Sequence, residues 1–191
     1  MRVVGRGVDA ELFDPERRDP ALRKRWGVAD EGPVCLYVGR LAPEKNLALV
    51  ERSFAAIQVW HPQARMVWVG GGPSAKQLAA DHPDHHFAGM RTGADLAAHY
   101  ASADLFLFPS LTETYGNVVA EAMASALPVL AYRSAAAAEL IVDGVNGRWV
   151  APGDEEGFRQ AALDMLARAD LLPAMGQAAR QTIRAHHWSA V

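Results

Sequence analysis

Apolar residues along this chain fall into two alternating rhythms. Short, almost wholly apolar runs, Val34–Val38, Met66–Val69, Asp104–Phe108 and Val129–Ala131, read as strands buried on both faces. His86–Ala88 and Arg148–Val150 are weaker runs of the same kind. Between them lie helical patterns: Leu47 to Trp60, Ser74 to Ala80, Ala94 to Ser102, Val118 to Ser125 and Ala135 to Val142. In the first of these, Leu47, Val50, Phe54, Ile57 and Val59 predict an apolar stripe on one helical face. Strand followed by helix, repeated, predicts an α/β domain with a mostly parallel sheet, right-handed crossovers and helices on both faces.

Both ends depart from this alternation. Residues 1–30, with Gly7-Val8-Asp9 and Phe13-Asp14-Pro15, read as a lead-in segment to an α/β core over 31–153. Residues 154–191 read as C-terminal helices, with Asp154 as N-cap and Pro173 inside a break. A length of 191 residues suits one sizeable domain. Half the residues are apolar and 21% are charged, the profile of a soluble globular protein. A net charge of -3 leaves no electrostatic footprint for nucleic acid. The basic clusters Arg17-Arg18 and Arg23-Lys24-Arg25 are interleaved with acids and read as solvated surface. The single cysteine, Cys35, excludes an intrachain disulfide and reads as a small core residue. No apolar run reaches the ~18–20 residues of a membrane helix, and the N-terminus lacks the pattern of a signal peptide. The expected compartment is the cytosol.

Open α/β sheets bind ligands at the carboxyl ends of their strands, and three loops there carry unusual residues. After Val34–Val38 comes Gly39-Arg40-Leu41-Ala42-Pro43-Glu44-Lys45-Asn46. Arg40 and Lys45 suit phosphate oxygens, and Asn46 can cap the next helix; the plainer alternative is a surface turn in which Glu44 pairs locally. After Met66–Val69, Gly70-Gly71-Gly72-Pro73 reads as a tight strand-to-helix turn, matching neither G-x-G-x-x-G nor a P-loop. After Phe108, a polar loop with Glu113 leads to a helix starting near Gly116, with Glu121 in its second turn. The N–H groups of Gly116, Asn117 and Val118 would form an anion site there. Glu121 cannot serve an anion; its natural partners are neutral donors such as ribose hydroxyls, and Glu113 could accept hydroxyls of a sugar.

These pieces, together with G-V-D-A-E-L-F-D-P, Y-V-G-R-L-A-P-E-K-N-L, W-V-G-G-G-P, D-L-F-L-F-P-S-L-T-E-T-Y-G-N-V-V-A-E-A-M-A-S and D-G-V-N-G, run in order over residues 7 to 147. In them the chain resembles the C-terminal, donor-binding domain of the retaining GT-B glycosyltransferases of group 1, the glycogen-synthase-like family. The resemblance implies a Rossmann-like domain in which Arg40, Lys45 and Glu113 serve catalysis. Arg40 and Lys45 would contact the donor diphosphate, Glu121 the ribose and Glu113 the donor sugar. Gly39 and the backbone from Thr114 through Tyr115, Gly116, Asn117 and Val118 would close around sugar and phosphate, and Met90 would meet the nucleobase. It implies a UDP-sugar or GDP-sugar as substrate, no cofactor and no metal, and front-face transfer of a hexosyl group, mannosyl or glucosyl, to a lipid or saccharide acceptor. The acceptor would come through an N-terminal domain not present in this sequence, with peripheral contact of the whole enzyme at the inner face of a membrane. This domain by itself would then transfer no sugar. A 2-epimerase of nucleotide sugars on the same fold and a non-catalytic nucleotide-binding module are the alternatives.

Two positions depart from the family pattern. Ala126 stands where a glycine is usual, and a left-handed conformation there would cost alanine about 1 kcal/mol and could shift the neighbouring loop. Tyr132-Arg133-Ser134-Ala135-Ala136-Ala137-Ala138-Glu139 replaces a Gly-rich turn. His82-Pro83-Asp84-His85-His86 has metal-ligand residue types, but Pro83 and the absence of helical spacing read as a surface loop. His186-His187 reads the same way, and His99, beside Tyr100, reads as a structural residue of a helix.

Overall fold

The computed structural model describes residues 7–28, 32–112 and 117–188, the last two by backbone alone. Six strands, β1 (Val34–Val38), β2 (Arg65–Val69), β3 (His86–Gly89), β4 (Leu105–Phe108), β5 (Val129–Tyr132) and β6 (Arg148–Val150), form one sheet in the order β3-β2-β1-β4-β5-β6. Every neighbouring pair is parallel, from Cys35 opposite Met66 in β1–β2 to Ala131 opposite Trp149 in β5–β6. Strands β1, β4 and β5 are buried at every position, as parallel strands covered on both faces must be. The helices are α1 (Pro20–Arg25), α2 (Leu47–Trp60), α3 (Ala75–Asp81), α4 (Gly93–Ser102), α5 (Asn117–Ala124), α6 (Ala135–Leu140), α7 (Glu155–Ala167) and α8 (Leu172–Trp188). The chain leaves β1 first toward β2 and β3, then returns to β4, β5 and β6. With right-handed crossovers this reversal places the connecting helices on opposite faces. Accordingly α2 packs on α7, and α5 packs on α8, α4 and α6. The fold is therefore the Rossmann-like α/β arrangement that the alternation predicts.

The structure corrects three local readings. On α2, Leu47, Val50, Phe54 and Ile57 are buried, but Val59 is 74% exposed. Two residues beyond Ile57 is about 200° around the helix, on its solvent side. The lead-in segment carries two short elements: Asp14 and Asp19 cap a 3-10 turn (Pro15–Arg17) and α1, each starting with proline. Arg23 is not solvated surface. It is 7% exposed and donates to the Ser102 carbonyl at 2.8 Å, the Gly32 carbonyl at 2.8 Å and Asp104 Oδ2 at 2.9 Å. Arg18 joins it through Asp104 Oδ1 at 3.0 Å. The break in the C-terminal helices falls at a 3-10 turn (Ala169–Leu171), and Pro173 sits in the first turn of α8, where a missing N–H costs nothing. Asp154 does cap α7, accepting from the Gly157 N–H at 2.9 Å.

Ala126 has a φ of 55°. The Leu127 N–H reaches the Ala122 carbonyl at 3.0 Å and the Ala126 N–H reaches Met123 at 3.1 Å, so α5 ends in the Schellman arrangement that favours glycine. The geometry is kept despite the alanine. Nearby, Arg180 of α8 is 6% exposed and donates to the carbonyls of Phe13 and Ala124 and to Asp14, tying the lead-in segment and the end of α5 to α8.

Candidate functional site

The topological switch lies between β1 and β4, where connections run left and right from neighbouring strands and leave a crevice at their carboxyl ends. The loops after these two strands meet there. Lys45 Nζ donates to the Thr112 carbonyl at 3.3 Å, the Thr112 hydroxyl to the Glu44 carbonyl at 3.4 Å, and Asn46 Nδ2 to the Pro109 carbonyl at 3.3 Å. Asn46 thus does not cap α2 with its side chain. It has a φ of 55°, a left-handed value that asparagine tolerates, and its amide links one loop to the other. Arg40 is exposed, with Glu44 Oε1 3.7 Å from its guanidinium. That local pair is solvated and loose, so an anion with better geometry can displace it.

The glycines after β2 have a packing reason. A Cβ on Gly70 would sit 1.9 Å from the Gly39 carbonyl oxygen, and one on Gly72 would sit 2.4 Å from that of Leu41. The loop after β1 therefore lies backbone to backbone on the loop after β2, held by Leu41 N–H to Gly71 at 2.9 Å and Ser74 N–H to Leu41 at 2.9 Å. Only glycine permits that approach, and this fixes the path of Gly39 and Arg40. Met90 follows β3, is 75% exposed, and flanks Gly71 on the same edge of the sheet.

From the other side, α5 begins at Asn117, exposed, with Val118 half-buried behind it. First-turn N–H groups have no acceptor within a helix. Glu121, one turn on, is half-buried, and its Oε2 accepts from the Tyr100 hydroxyl at 2.9 Å. Burial pushes the Glu121 carboxyl above the ordinary carboxylate range, and the Tyr100 hydrogen bond partly opposes this. The structure brings Gly39, Arg40, Lys45, Met90, Asn117, Val118 and Glu121 to one edge of the sheet. Glu113, Thr114, Tyr115 and Gly116 lie outside the described residues. Sequence reasoning missed Tyr100 as the partner of Glu121, and the bonds by which Asn46 and Thr112 join the two loops. No spacing signal could have found Tyr100, which lies on another helix, 21 residues from its partner.

A cavity of about 550 Å³ lies elsewhere. It is lined by Pro33, Asp104 and Pro128, which precede β1, β4 and β5, so it lies at the opposite edge. Its charged residues Arg18, Arg23 and Asp104 already pair with one another. A crevice open along one side encloses little volume, so loop chemistry rather than cavity size locates the site.

The histidine cluster brings potential ligand atoms of His82, Asp84 and His85 within 4.8 Å of one another. The His82 and His85 rings are stacked, with centroids 4.4 Å apart and planes 6° apart. An imidazole lone pair lies in its ring plane, so two parallel, stacked rings cannot aim at one ion. Both rings also have protein partners: His85 Nδ1 accepts from Trp68 Nε1 at 3.1 Å, and His82 Nε2 lies 2.6 Å from Glu51 Oε1. His99 is buried, with Nδ1 2.7 Å from the Asp95 carbonyl. Cys35 is fully buried, and burial pushes its thiol far above the ordinary range, as befits an inert core residue.

Comparison with known proteins shows the family and the fold. The family described as Glycosyl transferases group 1 matches residues 32–168. The chain is 37% identical to a GDP-mannose-dependent alpha-mannosyltransferase of Mycolicibacterium smegmatis over 98% of its own length and 48% of that protein's. It superposes with a TM-score of 0.77 and 26% identity on the Anabaena protein HepE crystallised with UDP-glucose, covering 93% of this chain and 50% of that one. A crystallised C-terminal domain of a group 1 glycosyl transferase from Francisella tularensis, 20% identical, shares the fold with a TM-score of 0.81, over 95% of this chain and 98% of that one. The chain spans 38% to 50% of the length of the curated relatives it matches. Among the described residues no helix is long and apolar enough to cross a membrane.

Proposed function

The chain belongs to the family Glycosyl transferases group 1, and from that premise we propose that it is the donor-binding domain of a retaining, nucleotide-sugar-dependent glycosyltransferase. The observation that carries this reading is the crevice at the β1–β4 switch. There a loop with two cations faces the N-terminus of α5, and a half-buried carboxylate, already holding one neutral donor, stands one turn deeper. Cations and a helix N-terminus suit a diphosphate, whereas Glu121 suits hydroxyls and would repel phosphate. A nucleoside diphosphate presents both groups, and Met90, exposed after β3, is available to flank a base.

In this reading the diphosphate gains negative charge as the glycosidic bond to it breaks. Arg40, Lys45 and the first-turn N–H groups of α5 hold that charge without rearrangement. Glu113 contacts the donor sugar together with the backbone of Thr114, Tyr115 and Gly116, and the departing phosphate takes the proton of the attacking acceptor hydroxyl on the same face. The cations supply what a divalent ion supplies elsewhere, so no metal is required. The relatives named above use GDP-mannose or hold UDP-glucose, which supports a hexosyl donor on either base. A lipid or saccharide acceptor would be held by a further domain of a longer protein working in the cytoplasm or at the membrane surface. This domain alone then binds donor and transfers nothing.

The test is calorimetry of Glu113→Gln and Glu121→Gln with free UDP and GDP and with their sugar forms, in EDTA throughout. Glu121→Gln is expected to weaken free diphosphate and sugar nucleotide alike, by about 1–3 kcal/mol. Glu113→Gln is expected to weaken the sugar nucleotide only. Equal loss of the free diphosphate in both variants, or binding that vanishes on chelation, overturns the assignment.

A further inference from the structure

Tyr100 has none of its surface exposed, and its ring meets Phe13 edge-on at 5.7 Å and Phe106 at 5.8 Å. A phenylalanine would fill that space equally well, so packing does not explain the hydroxyl. A buried hydroxyl needs a partner, and this one donates to Glu121 Oε2 at 2.9 Å. The arrangement is costly for both groups, since burial pushes the Tyr100 phenol and the Glu121 carboxyl up from their ordinary values. What it achieves is geometric. A glutamate on a helix has three rotatable bonds and, left alone, samples several directions. A donor from a rigid, fully packed ring pins one oxygen and the plane of the carboxylate, and leaves Oε1 to receive other donors. A vicinal diol binds a carboxylate well in only a narrow range of such orientations.

We infer that Tyr100 is a positioning residue: its hydroxyl anchors Glu121 Oε2 so that the carboxylate is presented to the ribose hydroxyls of the donor. A side chain that never touches the nucleotide thereby sets the preference for ribose over deoxyribose. The inference rests on the reading of Glu121 as the ribose contact.

The experiment compares UDP and GDP with their 2′,3′-dideoxy counterparts by calorimetry on the 191-residue chain, its Tyr100→Phe and Glu121→Gln variants and the double variant. The starting protein is expected to favour the ribonucleotide roughly ten-fold or more. Tyr100→Phe is expected to bind the dideoxy form as before and to favour the ribonucleotide by no more than about three-fold. A purely structural role would weaken both nucleotides by one factor and leave the ratio intact, and that result overturns the inference. If the starting protein shows no ribose preference, or binds neither diphosphate, the reading of Glu121 falls and the inference with it. If Glu121→Gln loses the preference while Tyr100→Phe keeps it, the inference alone falls. Should Tyr100→Phe be too unstable to titrate, the double variant decides, because it removes the unpartnered buried carboxylate. A pair acting as one unit gives the ratio of Glu121→Gln alone, and any further loss of ratio shows Tyr100 acting separately and overturns the inference.

Discussion

At the foot of the sheet, where strands begin, Arg23 is 7% exposed and its guanidinium meets two carbonyls and the carboxylate of Asp104, which also accepts from the Val34 N–H at 2.8 Å. At the carboxyl edge, the Arg40 side chain is 64% exposed and faces a glutamate at 3.7 Å. The two arginines differ in what their hydrogen-bonding capacity is committed to. Arg23 closes α1, α4 and β1 onto each other; Arg40 is held in place by backbone packing around Gly39 and Gly70 while its charge stays solvated. The cavity of about 550 Å³ lies beside the first and the function we propose lies beside the second. Charge that the fold has already neutralised offers a ligand little, whatever the volume next to it.

The contrast can be broken by substitution. Arg23→Ala is expected to lower folding stability by about 3 kcal/mol, because it leaves the Ser102 and Gly32 carbonyls without this donor and takes the buried cation from Asp104, whose Oδ2 keeps only the Val34 N–H. Urea unfolding checks this, and a loss under about 1 kcal/mol would put Arg23 with ordinary surface residues. Arg40→Ala should do the reverse. Stability should stay within about 0.5 kcal/mol, while affinity for UDP or GDP falls by about 1.5–3 kcal/mol; an unchanged affinity would remove the diphosphate from this loop.

Acid sharpens the same comparison, since the groups shifted at each edge act on different observables. At the foot of β3, burial and the neighbouring His82 lower His85 from 6.5 to about 4. The unfolded chain binds a proton on His85 between those values and the folded chain does not. The stability involved is full above pH 6.5 and is lost as pH falls toward about 4. With His85 partly solvated, this amounts to about 1–2 kcal/mol. His85→Gln should flatten that part of the stability–pH curve, and an unchanged slope refutes the assignment. At the carboxyl edge Glu121 is raised, so nucleotide affinity should decline from a higher pH than an ordinary carboxylate would give.

The smallest effect concerns Ala126, which adopts a φ of 55° at the end of α5, beside the cavity at the foot of the sheet. Ala126→Gly is expected to raise stability by about 1 kcal/mol without altering nucleotide affinity. A rise in the urea midpoint checks it; a fall would mean that the glycine's added freedom in the unfolded chain outweighs the relieved strain.

Much of this molecule was legible before any coordinates. Six strands and the helices between them follow from apolar runs and helical spacing, because a parallel sheet buried on both faces demands uninterrupted apolar strands. The loops after β1 and β4 stood out because cations and carboxylates at strand ends serve no core. Less was legible where partners are distant in sequence. Arg23 looked like part of a solvated basic run, yet its acceptors lie as far as 81 residues away. Asn46 looked like a helix cap, yet its amide crosses to Pro109, 63 residues on. Val59 looked like one more member of an apolar stripe, yet the helix turns it outward.

Local patterning settled the elements, their order and the candidate loops, because periodicity and turn chemistry act over a few residues. The handedness of the crossovers then left little choice of topology. Which charges neutralise one another, which carboxylate is pinned and by what, and why Gly70 and Gly72 follow β2 depended on packing between segments remote in the chain. Tyr100 and Glu121 show this most clearly. Glu121 stands out in the sequence and Tyr100 does not, and their relation exists only because α4 and α5 pack together and place a phenol and a carboxylate 2.9 Å apart.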